Sequence, residues 1–199
     1  MLSKYFVALK FKNDSALYRT IDGFKKRFDP KYKSDSFPHM SMLAPFQMDT
    51  KDEFVLAETL KEEAQTFFYG HEGALKLDFS GIEITKHHKK HMLFLNPVNI
   101  GNMEFCIDLV QSICEPFVAR NTGYKQNKKQ LLQLASFYNT NDLYSALEDL
   151  KEQSLTKLGI KVDSIVLMKK SQGNWQVQDE IFKFQDNFDE LLQIQTLAL

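Results

Sequence analysis

The order of apolar and polar positions divides the chain into alternating strand-like and helix-like segments. Residues 4–12 (KYFVALKFK) alternate and are rich in aromatic and β-branched side chains, which predicts a strand. Residues 14–28 follow with Leu17, Ile21, Phe24 and Phe28 at helical spacing. Asp14 or Ser15 caps that helix, and Asp29-Pro30 stops it. Residues 31–36 form a polar loop, and 37–46 (FPHMSMLAPF) a short strand ending at Pro45. A second amphipathic helix spans 51–69, capped by Thr50 or Asp49 with Glu53 as a capping-box partner, and Gly70 and Gly73 end it. Residues 74–85 read as a strand, bulged at Gly81, with a turn over 86–91 and a returning strand over 92–96.

The second half repeats this order. A helix over 101–115 ends near Pro116. A polar loop over 121–129 precedes a strand over 130–138 and a helix over 141–155 capped by Asn141. The strand 160–169, a glycine-containing turn and the strand 174–184 form a hairpin. The tail 186–199 is expected as a short helix. Each half thus holds a loop, a short strand and a helix. The hairpins favour antiparallel sheet, so the class is α+β with helices packed on the sheets.

Composition narrows the options. The chain has 199 residues, of which 43% are hydrophobic and 26% charged, enough to build a core and too few charges for a disordered chain. The formal net charge is −1, so there is no global basic field for nucleic acid, although a local patch remains open. No apolar run is long enough for a membrane helix, and lysines interrupt the N-terminal apolar stretch, unlike a secretory signal. A cytoplasmic, monomeric protein is expected. Cys106 and Cys114, eight apart on one predicted helix, lie about 12 Å apart by helix rise, too far for a disulfide. Small buried hydrophobes is the reading for both.

The segment Phe37-Pro38-His39-Met40-Ser41-Met42-Leu43 carries the chemistry. In a strand, His39 and Ser41 share one face and Met40 and Met42 the other. The methionines can then pack in a core, while an imidazole able to act as acid or base stands beside a hydroxyl able to donate to a phosphate oxygen. With its flanking elements, this stretch resembles the first signature of the 2H phosphoesterases, the LigT-like RNA 2′,3′-cyclic phosphodiesterases also called 2′-5′ RNA ligases. That signature is His-x-Thr/Ser and occurs twice. The element order resembles the family over residues 1–184.

The resemblance implies one bilobal domain over 1–185, with two antiparallel sheets flanking a central cleft and helices outside. It implies two histidines around a cyclic phosphate, one activating water and one protonating the leaving oxygen, with two hydroxyls on the phosphate and no cofactor or metal. His39 and Ser41 are the catalytic candidates. The second signature departs from the pattern. In Leu131-Leu132-Gln133-Leu134-Ala135-Ser136-Phe137, Leu131 stands where the histidine belongs and Gln133 where the hydroxyl belongs. The alternation survives, with Leu132 and Leu134 expected in the core. Leucine cannot transfer a proton, so the two-histidine mechanism should be severely weakened. Gln133 either hydrogen-bonds a ligand or faces water. Gln133, Lys129 and Tyr138 are the substrate-binding candidates, and the partner is an RNA end or a small nucleotide.

The remaining histidines offer no clear substitute. His71 falls in a predicted loop. Lys86-His87-His88-Lys89-Lys90-His91 reads as a solvated turn or an RNA phosphate contact, since its lysines would repel a metal ion. The loop 125–129 (KQNKK) could rim the cleft. Trp175 reads as packing. There is no phosphate-binding glycine loop, dinucleotide fingerprint, Cys-x-x-Cys pair or Gly-x-Ser-x-Gly elbow. Three readings remain: a phosphodiesterase with one histidine or with a second proton carrier not identified in the sequence, a module on the same fold that has lost catalysis and holds an RNA end, a nucleotide or a protein, and an unrelated α+β domain in which His39 is incidental.

Overall fold

In the computed structural model the described residues are 1–29, 32, 36–69, 75–98, 101–119, 131–152 and 159–184. The expectations for the tail 186–199, for His71, for the 125–129 loop and for Lys129 fall outside them.

β1 (Leu2–Phe11) lies near the middle of the sheet, and its residues Tyr5 to Leu9 are all buried. A strand covered on both faces needs a continuous apolar run. Tyr5, Val7, Leu9 and Phe11 enter the main core with Leu17, Ile21 and Phe24 of α1 (Ala16–Phe28). Phe6 and Ala8 face the other way, into a smaller cluster with Val166 and Met168 that supports Phe37 and Trp175. Ser15 caps α1 by accepting from the Tyr18 amide, and Asp29 ends it.

The expected strand 37–46 is instead two short ones, β2 (His39–Ser41) and β3 (Phe46–Asp49). Both pair antiparallel with β1, β2 against Ala8–Lys10 and β3 against Leu2–Tyr5. Between them the amides of Met42 and Leu43 both point to the Val7 carbonyl, and Pro45 has no amide to offer the ladder. α2 (Glu53–Phe67) follows a 3₁₀ turn capped by Asp49, which accepts from the Lys51 amide. The expected capping box is absent: Glu53 accepts instead from the Tyr5 hydroxyl and the Lys169 ammonium, tying α2 to the sheet.

β4 (Lys76–His87) and β5 (Lys90–Pro97) form a hairpin whose strands run further into the expected turn, leaving only His88 and Lys89 to turn the chain. The register shifts between Phe79 and Ile82, and Gly81 has φ +76°, the expected bulge. α3 (Gly101–Cys114) buries both cysteines, unpaired, and burial pushes each thiol up to about 12. β6 (Leu132–Phe137) pairs with β5, and α4 (Thr140–Glu152) follows. Asn139 takes the capping role expected of Asn141, accepting from the Asn141 amide.

β7 (Gly159–Ser171) and β8 (Asn174–Lys183) are joined by Gln172 and Gly173, both at positive φ, as a two-residue hairpin demands. β7 unites the molecule. Its first residues, Gly159–Lys161, pair with Lys76–Asp78 of β4, and its later ones pair with both β1 and β8. The two expected antiparallel sheets are therefore continuous in hydrogen bonding, in the order β2-β1-β7-β4-β5-β6, with β3 also on β1 and β8 also on β7. The α+β class stands. Among the described residues, no helix is long and apolar enough to cross a membrane.

Leu167, at 0% exposure, sits where β7 is paired on both edges. Leu167→Ala is expected to cost about 2–5 kcal/mol, read as a lower denaturation midpoint in urea.

Candidate functional site

β2 offers its side chains as the two-residue period requires. Met40 and Met42 are fully buried, while His39 and Ser41 line a cleft of about 980 Å³. β6 does the same from the other side: Leu132 and Leu134 are fully buried, and Leu131 and Gln133 line the same cleft. The side chains of His39, Ser41, Leu131 and Gln133 thus converge from segments far apart in sequence, and β2 and β6 approach each other.

A buried lysine holds this approach. In the β5–β6 ladder Leu93 pairs with Ala135 but Phe94 with Gln133, so Leu134 is an extra residue and the ladder is locally disrupted. The Lys25 ammonium of α1 donates to the carbonyls of Gln133 (2.9 Å) and Leu134 (3.3 Å) at this bulge. Asp29 lies 3.9 Å away and the Tyr32 ring 5.2 Å away. Burial pushes the Lys25 amine down to about 8, opposed by Asp29. The sequence pattern passed over Lys25, although it falls four residues after Ile21, on the apolar stripe of α1 where a lysine must find a partner.

One wall of the cleft comes from the β1–β7–β8 side: Phe37, Met168, Lys170 and Trp175. Trp175 meets Phe6 edge-on at 4.6 Å between centroids, with the Lys170 ammonium 6.0 Å from its ring. Trp175 therefore faces the cleft as well as packing. The opposite wall is a row across three strands. Glu83 pairs with Phe94 and Phe94 with Gln133, which puts all three on one sheet face. Thr85 stands two residues beyond Glu83 on that face, and its buried hydroxyl has no hydrogen-bond partner among the described residues. These wall residues were invisible in the sequence because the row depends on strand register.

Tyr138 does not line the cleft. It lies beyond the end of β6, 73% exposed, with the Lys90 ammonium 5.6 Å from its ring. β6 ends at Phe137 and α4 begins at Thr140, so Tyr138 stands in the short link between them. Among the described residues, no group of three His, Cys, Asp or Glu side chains is placed to hold a metal.

His39 is oriented for one task. Its Nδ1 lies 3.0 Å from the Phe37 carbonyl, and in the neutral ring the Nδ1 proton satisfies that contact, leaving the lone pair on Nε2. Phe6 and Phe37 pack on the ring at 5.4 and 5.6 Å. Burial pushes the imidazole down to about 4; the Phe37 carbonyl opposes this and the Lys25 charge adds to it. His39 is thus neutral at pH 7, a base with its lone pair available. Ser41 can donate to an oxyanion, and Gln133 can donate an amide proton. Leu131 offers no proton.

The depressed imidazole links folding to pH. The unfolded chain takes a proton on His39 near pH 6.5 and the folded one near pH 4. Stability from this group is complete above pH 6.5 and is lost as pH falls through that window. Urea titrations at pH 7 and pH 4.5 should show a smaller pH-dependent loss for His39→Gln than for the wild type.

No protein-family model and no curated protein sequence matches the chain. Solved structures match it by fold. E. coli LigT complexed with 3′-AMP superposes with a TM-score of 0.54 at 9% identity, over 93% of this chain and 100% of that one. A phosphoesterase crystal structure matches with a TM-score of 0.52 at 11% identity, over 93% and 100%. E. coli LigT complexed with NADP+ gives 0.52 at 10% identity, over 92% and 98%. With two antiparallel halves joined through β7 and residues of β2 and β6 lining one cleft, this chain has the fold of the 2H phosphoesterases.

Proposed function

We propose that the cleft binds the phosphate of a small nucleotide or of an RNA 2′,3′-cyclic phosphate end, with His39 as the base and Ser41 donating to a phosphate oxygen. The observation that carries this reading is the convergence of His39, Ser41, Leu131 and Gln133 on one cleft. LigT, which shares the fold, is described in complex with 3′-AMP, phosphate and NADP+, which supports a nucleotide as the ligand class.

In this scheme Nε2 of His39 takes a proton from water as the water attacks phosphorus. A 2′,3′-cyclic phosphate then opens, and the departing ribose oxygen needs a proton. Leu131 cannot supply it, and Gln133 can only donate a hydrogen bond to the phosphate. A positioned acid is worth about 10²–10⁴-fold, so turnover should fall short of a two-histidine site by that order. Leu131 also favours a second reading, in which the cleft holds its ligand without turning it over.

Hydrolysis and binding of 2′,3′-cyclic nucleotides and cyclic-phosphate-ended RNA oligomers, with His39→Ala as control, separates the readings. Slow turnover lost in the variant makes the protein an enzyme. Binding without turnover, dependent on His39, makes it a recognition module. Neither binding nor turnover overturns both. Leu131→His should raise turnover by about 10²-fold or more. A folded variant with no gain would show that position 131 does not face the reacting phosphate. The acid limb of kcat/KM in any active form should lie near pH 4, where His39 titrates, rather than near 6.5.

A further inference from the structure

The β4–β5 hairpin extends one face of the cleft. β5 alternates regularly, so Phe94, Met92 and Lys90 share a sheet face, and Phe94 lines the cleft. Lys90 stands four residues from Phe94, about 13 Å along the strand. Its ammonium lies over the exposed Tyr138 ring, and Lys89 occupies the turn beside it, exposed. Among the described residues, no carboxylate pairs with Lys89 or Lys90. An aromatic face that is open to solvent, backed by lysines that no described carboxylate pairs and continuous with a nucleotide-sized cleft, matches the way single strands are bound: cations follow the phosphates while a ring stacks on a base.

We propose that Lys89, Lys90 and Tyr138 form a track for the continuing strand of a single-stranded oligoribonucleotide whose phosphate end occupies the cleft. The ligand is then an RNA strand rather than a free mononucleotide. This rests on the cleft's reading as a nucleotide site and adds to it. It gives the basic tract at the β4–β5 turn a role, and it places Tyr138 at a base some way from the phosphate end instead of beside His39.

The experiment compares a nucleoside 2′,3′-cyclic phosphate with a short single-stranded RNA carrying the same end. Binding is measured as a function of salt for the wild type, Lys89→Glu/Lys90→Glu, Tyr138→Ala and His39→Ala. All the track residues are at the surface, so folding should be intact, and near-UV circular dichroism checks it. The expected result is oligomer binding weakened about tenfold or more by either track variant, with mononucleotide binding unchanged. The double variant should also reduce the salt slope by about two, one for each lysine. An oligomer that binds no more tightly than the mononucleotide, or track variants that weaken both ligands equally or neither, would overturn the track. Failure of the cleft reading is distinct: His39→Ala would leave both ligands unaffected, while the track variants still weakened the oligomer.

Discussion

The architecture depends on one strand belonging to both halves of the molecule. β7 pairs first with β4 and then with β1 and β8, so the β1–β7–β8 wall and the β4–β5–β6 wall are parts of one hydrogen-bonded system. Main-chain ladders are stiff because each buried amide and carbonyl must keep a partner. The walls therefore cannot slide past one another without breaking β7. This constraint places two segments some ninety residues apart, β2 and β6, on opposite sides of one cavity.

Within that frame Lys25 sets the fine geometry. A bulge at Leu134 disturbs the ladder beside Gln133, and the ammonium from α1 accepts the task of satisfying the two carbonyls there. A buried cation is tolerated because those carbonyls and Asp29 surround it. The same charge disfavours protonation of His39, as burial does. One residue thus fixes the strand that carries Gln133 and helps keep the imidazole neutral. The cleft is asymmetric: an imidazole and a hydroxyl come from β2, and an amide from β6 with a leucine just before it.

The element order and the facing of the motif residues were legible along the chain because they follow from local periodicity. Met40 and Met42 go inward and His39 and Ser41 do not, whatever the partner strands are. The same two-residue period told Leu132 and Leu134 from Leu131 and Gln133. Local reading failed where long-range partners competed. Glu53 left the expected cap for Tyr5 and Lys169, and the segment 37–46 broke into two strands because β1 offered pairing sites on both sides of Val7.

The sequence by itself determined the α+β class, the hairpins, the core-facing positions and the presence of a leucine and a glutamine at positions 131 and 133. These depend on side-chain identity and on periods of two and 3.6 residues. Only the tertiary structure decided that the two halves share β7, that Lys25 braces β6, that Glu83, Phe94 and Thr85 face His39 across a cleft, and that Tyr138 stands outside it beside Lys90. Those facts depend on strand register and on which elements meet, and neither is encoded in any short stretch of the chain.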